Sequence, residues 1–200
     1  MRLKIKLLTA LVMAFGITAS YAQDLPANPT DISPLLIGEK VPSISILDAD
    51  SKKHNLKDVV SEKPTLLIFY RGGWCPYCNK HLADLQTIEQ DILDMGYQIV
   101  AISPDSPEGL HATVDKNELK YDLYSDSDLA VTKAFGLAYK APEKYKKMLF
   151  NASAEKNPGE LPVPALFVVD QEGTIQFEYI NPNYDQRINA PMLKAVLENL

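Results

Sequence analysis

The chain has two cysteines, spaced as Cys75-Pro76-Tyr77-Cys78 directly behind an apolar run, Thr65-Leu66-Leu67-Ile68-Phe69-Tyr70. A buried strand that turns through Arg71-Gly72-Gly73-Trp74 and enters a helix at Cys-x-x-Cys is the pattern of a redox site. Unpaired N–H groups and the helix dipole at a helix N-terminus stabilise a thiolate. The second thiol, one turn on, is within reach of the first, so one can attack a substrate and the other can resolve the mixed disulfide. A purely structural disulfide across so short a loop would stabilise the fold by only about 2 kcal/mol. Haem attachment needs histidine where Asn79 stands, and zinc needs two more ligands. The one nearby histidine, His81, reads as a helix-surface residue. The sulfurs carry the chemistry, and the residues call for no metal and no cofactor.

The first 22 residues read as a secretory signal peptide. Arg2, Lys4 and Lys6 precede an apolar stretch from Leu7 to Ala19, and Ser20-Tyr21-Ala22 offers small residues for cleavage before Gln23. Export to the periplasm or the extracellular space is therefore expected, with no stable membrane insertion after cleavage. The net charge of −6 becomes −9 once those three basic residues are gone. Such acidity, without a basic run elsewhere, argues against a nucleic-acid partner. Residues 23–35 are proline-rich and read as a flexible leader, leaving 36–200 as one domain.

Along that domain, Val41, Ile44 and Ile46 with the turn at Asp48-Ala49-Asp50-Ser51 suggest a hairpin. After the strand at 65–70, Leu82, Leu85, Ile88 and Ile92 keep helical spacing up to Gly96. Tyr97 to Ser103 reads as the next, parallel strand. Ser106-Pro107-Glu108 opens another helix, with Leu110 and Val114 facing inward. Asp122–Ser125 is a short strand, and 128–135 a short helix stopped by Gly136. Residues 137–160 look like an irregular insertion, with a helix around 142–150. A buried strand at 165–170, a turn at Gln171-Glu172-Gly173, an antiparallel return over 174–179 and a helix from Asn189-Ala190-Pro191 complete the chain. This order describes an α/β, thioredoxin-like fold: a central mixed sheet flanked by helices, with the cysteines at the carboxyl end of a strand.

The segment Phe69-Tyr70-Arg71-Gly72-Gly73-Trp74-Cys75-Pro76-Tyr77-Cys78-Asn79 resembles the active-site segment of the peroxiredoxin-like branch of the alkyl hydroperoxide reductase and thiol-specific antioxidant family. Gly38–Pro42, the run 161–170 and Asn181–Arg187 are similar to the same group. The usual family pattern is Pro-x-x-x-Thr-x-x-Cys after the strand. Laid over this chain, Arg71 replaces the proline, Cys75 the threonine, and Cys78 falls on the peroxide-reacting cysteine. The usual arginine before the later strand is absent, and Pro164 stands in that region. Trp74 and Val163-Pro164 resemble thioredoxins instead, which implies a cis bond at Pro164 and a backbone edge able to pair with a bound peptide.

The leading expectation is an exported thiol-disulfide oxidoreductase cycling Cys75 and Cys78. Cys75 attacks, Cys78 resolves, and Trp74, Tyr77, Pro164 and Arg71 shape the site. The alternative is a thiol-dependent peroxidase with Cys78 reacting with peroxide and Cys75 resolving. A Cu(I)-binding assembly factor is a third possibility. The partners follow: a thioredoxin-like electron donor or acceptor, and a protein disulfide or hydroperoxide as substrate. His54, His111 and Arg187 are assigned surface or packing roles.

Overall fold

The computed structural model describes residues 24–200; the signal segment expected over 1–22 lies outside the described residues. The first strands pair as an antiparallel hairpin, β1 (Ser45–Asp48) with β2 (Lys53–Asn55), and α1 (Leu56–Glu62) follows at once, its N-terminus capped by the Asn55 side chain. The fully buried β3 (Thr65–Phe69) runs into α2 (Pro76–Gln86) and α3 (Glu89–Asp94), and β4 (Gln98–Ser103) returns parallel to it. Next come α4 (Pro107–Asn117), β5 (Asp122–Ser125) and α5 (Ala130–Ala134). The insertion holds β6 (Ala138–Lys140), a 3₁₀ turn (Glu143–Tyr145), α6 (Lys146–Ala152) and β7 (Glu160–Pro162). The chain closes with β8 (Ala165–Val169), β9 (Ile175–Ile180) and α7 (Ala190–Leu197).

Seven strands form one mixed sheet in the order β2-β1-β5-β4-β3-β8-β9. Alternation along β3 decides what lies on each side. Leu66, Ile68 and Tyr70 join α2, α4 and α7 through Leu82, Leu85, Leu110, Leu193 and Leu197. Leu67 and Phe69 face the other way, onto Val60 of α1 and onto Phe135 and Phe167, whose rings lie 4.7 and 6.0 Å from that of Phe69. Both faces of the central strand are thus covered by helices, which is why it reads as a continuous apolar run. Its end opens between the helices, and the cysteines sit there.

Three features differ from expectation. The helix foreseen from the cysteines to Gly96 is broken in two at Thr87-Ile88. The Thr87 hydroxyl donates to the Asp84 carbonyl (2.6 Å), and the Ile88 N–H reaches back only three residues, to Leu85. Gln86 then bridges Glu89 and the Lys120 N–H, fixing the break. The insertion is ordered rather than irregular: β6 and β7 form a separate two-stranded ribbon over a small core of Tyr139, Leu149, Leu161 and Val163. Residues 24–35, expected as a loose leader, lie along the body. Lys140 N–H donates to the Pro26 carbonyl (2.8 Å), Leu35 N–H to the Phe135 carbonyl (3.1 Å), and Ile32 and Leu35 pack on the second core.

Gly136 allows that contact. Its φ of +66° suits glycine, and a Cβ there would run into the Ser33 carbonyl. We expect Gly136→Ala to lower unfolding free energy by about 1–3 kcal/mol in urea titration. A change within experimental error would mean that residues 24–35 do not rest on the body in solution.

Candidate active site

Strand β3 ends at Phe69, and its sheet contact continues one residue further, the Tyr70 N–H donating to the Ile102 carbonyl. The chain then crosses in Arg71-Gly72-Gly73-Trp74 to the start of α2. Gly72 adopts φ of +130°, and a Cβ on it would sit 2.5 Å from Trp74 Nε1 and 2.7 Å from Asp105 Oδ1, so a side chain has no room. Two side chains hold the crossing. Asp105, just past β4, accepts the Gly73 N–H at 2.7 Å. Asn79, one turn into α2, donates to the Gly73 carbonyl at 2.8 Å and accepts from Asn117 of α4. Burial pushes the Asp105 carboxyl up to about 6, against the Gly73 and Ser103 hydrogen bonds that favour its charged form.

Cys75 is the N-cap of α2, with Pro76 in the first helical turn where a missing N–H costs nothing. Only 1% of either cysteine's surface reaches solvent, and both thiols are free. Their environments separate them. Cys75 is brought down to about 6: the Cys78 thiol hydrogen-bonds to it, the Cys78 backbone N–H adds to this, and the Arg71 and Arg187 charges contribute, together outweighing burial. Cys78 goes the other way, pushed far up by its burial inside the helix and by the Cys75 sulfur, with Arg187 opposing. Of the two sulfurs, Cys75 is the one whose charged form the site favours, and Cys78 the one it keeps neutral.

Arg71 is 2% exposed and lies under three rings: its guanidinium carbon is 4.3 Å from the centroid of Tyr184, 5.0 Å from Trp74 and 5.3 Å from Tyr145. Trp74 is half-buried and leans on Tyr145 at 5.5 Å. Tyr77 is exposed and meets Tyr184 edge-on at 5.7 Å. Four of the expected site residues, Cys75, Cys78, Trp74 and Arg71, thus gather in one place, and Tyr77 borders it.

Pro164 is placed differently from expectation. No cis peptide bond occurs among the described residues, so Val163-Pro164 is trans. The backbone edge expected to receive a peptide is occupied as well. The Val163 N–H donates to the Leu137 carbonyl (2.9 Å), and the Pro164 carbonyl accepts from the Asn181 N–H (3.2 Å). The ordered insertion and the loop after β9 consume it. Pro164 instead lines a narrow cavity with His81, Tyr179 and Arg187. His81, expected on the helix surface, is buried on α2 with Nε2 unpartnered; burial and the Arg187 charge bring it down to about 4, so it is neutral.

The residues that sequence reasoning missed come from distant segments. Arg187, assigned to the surface, is half-buried and points Nη2 at Cys78 Sγ, 3.7 Å away. It stood inside the Asn181–Arg187 stretch that resembles the family, which was the available signal. Tyr184 lies in the same stretch, whereas Tyr145, Asp105 and Asn117 carried no local signal.

The largest cause lowering Cys75 is the Cys78 thiol, so the pH profile of alkylation should show it. We expect the iodoacetamide rate of Cys75 to rise with pH through a midpoint of about 6 as the thiolate forms. Cys78→Ala should move that midpoint up, toward the ordinary thiol range near roughly 8.5, and Cys78→Ser, which keeps a donor, should move it less. Midpoints that coincide in all three proteins would remove the thiol-to-thiolate hydrogen bond as the cause.

Comparison with known proteins bears on the family and the fold. The sequence profile of the AhpC/TSA family matches residues 37–178. A putative peroxiredoxin of Mycobacterium tuberculosis (strain ATCC 25618 / H37Rv), Rv2521, is 31% identical over 146 residues, spanning 73% of this chain and 85% of that protein. Among solved structures, reduced Prx3 of Vibrio vulnificus in complex with hydrogen peroxide superposes with a TM-score of 0.70 at 16% identity, covering 82% of this chain and 99% of that one. Peroxidoxin BcpB of M. tuberculosis gives 0.67 at 19% identity, covering 82% and 97%. At such identities the structural likeness speaks for the fold. The sequence match, the fold and the thiolate at a helix entrance converge: this chain belongs to the AhpC/TSA family, as a peroxiredoxin-like, thiol-dependent oxidoreductase of the thioredoxin superfamily.

Proposed function

We propose that the chain is a thiol peroxidase that reduces hydrogen peroxide or a small organic hydroperoxide at Cys75 and then closes a Cys75–Cys78 disulfide. The observation that carries this is Cys75 itself, a free sulfur at the entrance of α2 with only 1% of its surface exposed, its charged form favoured by the Cys78 thiol and backbone N–H and by Arg71 and Arg187. A thiolate is the reactive form. A peroxide of a few atoms can approach a sulfur so enclosed, whereas a protein disulfide must bring its own sulfur into line and needs far more room. The trans bond at Pro164 and its occupied backbone edge remove two supports of the protein-disulfide expectation. The relatives named as peroxiredoxins favour the peroxidase alternative.

The Cys75 thiolate attacks one peroxide oxygen and the O–O bond breaks. Cys75 is oxidised to a sulfenic acid, and the departing oxygen takes a proton to leave as water or an alcohol. Cys78 then gives up its proton and attacks the Cys75 sulfur. A disulfide forms and water leaves. A dithiol partner of thioredoxin type reduces the disulfide and restores both thiols. The elevated Cys78 suits the late role, because a neutral thiol does not compete for peroxide.

A second assignment has one observation in its favour. Arg187 points at Cys78, which also overlays the family's peroxide-reacting cysteine. Single variants separate the two. With hydrogen peroxide and dimedone, Cys78→Ser should collect a sulfenic adduct on Cys75, and Cys75→Ser should collect almost none. The opposite pattern would assign the peroxide to Cys78. Should the reduced wild-type protein react with peroxide no faster than free cysteine, neither peroxidase assignment stands.

We also propose export, on the basic, apolar and small-residue sequence of 1–22. N-terminal sequencing of the exported protein should begin at Gln23. An intact N-terminus, or retention in the cytoplasm, would contradict this.

A further inference from the structure

Two buried N–H donors beside Cys75 have no acceptor among the described residues: Arg71 Nε and Trp74 Nε1. A buried donor left unpaired costs about 1–3 kcal/mol, so two in one place call for a reason. Packing does not supply it. A phenylalanine at position 74 would offer a ring to Tyr145 and to Arg71 without an orphaned N–H. Arg71 is likewise an expensive way to fill a space under three rings, since it brings a charge into a site with no carboxylate hydrogen-bonded to it.

Both donors belong to the crossing that leads into Cys75. Trp74 is its chain neighbour, and Arg71 acts on it directly by charge. Tyr184, Trp74 and Tyr145, at 4.3 to 5.3 Å, hold the guanidinium so that it does not swing out to solvent. The indole N–H lies tight against the backbone of the crossing, the position of the missing Gly72 Cβ being only 2.5 Å from Trp74 Nε1, so the absence of a side chain at Gly72 is what lets the indole sit there. The Asp105 carboxylate beside this position accepts the Gly73 N–H at Oδ2, and neither of its oxygens takes a hydrogen bond from Trp74 or Arg71.

We propose that Arg71 and Trp74 are catalytic residues whose N–H groups receive the oxygens of the hydroperoxide while Cys75 attacks. The inference rests on the peroxidase reading and names the donors for it. In the step, the Cys75 thiolate forms an S–O bond to the terminal oxygen as the O–O bond breaks. Negative charge then gathers on the departing oxygen, and the fixed donors stabilise it before solvent protonates it to water or an alcohol. Donors set in advance toward developing charge lower the barrier most where water is excluded, as it is here. The threonine and the arginine usual in the family are absent at their positions, so this chain needs donors from elsewhere. Arg71 occupies the place of the family's proline, and Trp74 precedes Cys75.

The test compares two reactions of one sulfur. Reduced wild-type protein, Trp74→Phe and Arg71→Lys are each reacted with hydrogen peroxide and, separately, with iodoacetamide at the same pH. Peroxide loss is followed chemically and alkylation by mass, since Trp74→Phe removes the only tryptophan. Alkylation needs the thiolate but develops no charge on oxygen. We expect Trp74→Phe to slow the peroxide reaction by roughly ten- to a hundredfold while alkylation stays within about twofold. Arg71→Lys, which keeps the charge and loses the planar donors, should show the same split. Peroxide rates unchanged in both variants would overturn the inference, as would peroxide and alkylation rates falling in parallel, which is the signature of a disturbed thiolate or fold. These outcomes are distinct from a wild-type protein that reacts with peroxide no faster than free cysteine, which would sink the peroxidase reading itself.

Discussion

The hydrogen bond from the Gly73 N–H to the buried carboxylate of Asp105, 2.7 Å long, ties together the ends of the two central parallel strands. One end carries the cysteines, and the other turns into α4. Because Asp105 is held in turn by Ser103, and the Gly73 carbonyl is held by Asn79, the crossing into α2 has little freedom. That crossing sets where Cys75 stands relative to the helix entrance, and so whether the backbone of the first turn can stabilise its charge. The other properties of the site follow from that placement. A loop free to wander would expose the sulfur and return it to the behaviour of an ordinary thiol.

Charge is the second economy of the site. Two arginines act on the cysteine pair, Arg71 from the adjoining crossing and Arg187 from near the far end of the chain, and neither forms a salt bridge with a carboxylate among the described residues. In so enclosed a place their fields are weakly screened. Aromatic rings stand in for carboxylates around Arg71, giving it attraction without neutralising it. The positive field stays available to the thiolate. The two sulfurs then part company: the one at the helix entrance is brought down, and the one inside the helix is driven up. A pair of identical residues three positions apart acquires two chemical characters from burial, from each other and from the charges around them.

The roof over this pair comes from segments that are peripheral to the sheet. Tyr145 belongs to the insertion between α5 and β8, and Tyr184 and Arg187 to the connection between β9 and α7. The insertion also takes the Val163 N–H, through Leu137, so the edge that a bound peptide would use is spent within the chain. The same additions that enclose the thiolate close the route for a large substrate.

Much was legible in the sequence because it rests on local patterns. The apolar run before the cysteines could only be a buried strand, the serine, proline and asparagine caps marked the starts of α4 and α7, and Cys-x-x-Cys at a strand's end named the chemistry. The break at Thr87-Ile88 was hidden because apolar spacing continues across it, and a side-chain bond to the Asp84 carbonyl decided the matter. His81 looked like a surface residue until α2 packed down on the sheet. The conformation at Pro164 was inferred from likeness to thioredoxins, and its occupied edge depends on an insertion whose path no local pattern reveals. The sequence by itself determined the fold class, the redox pair and the helix that presents it, since these follow from period, capping and spacing within a few tens of residues. Only the tertiary structure decided how deeply each sulfur is buried and that Arg187 faces the pair, because those depend on packing and on side chains brought together from more than a hundred residues apart.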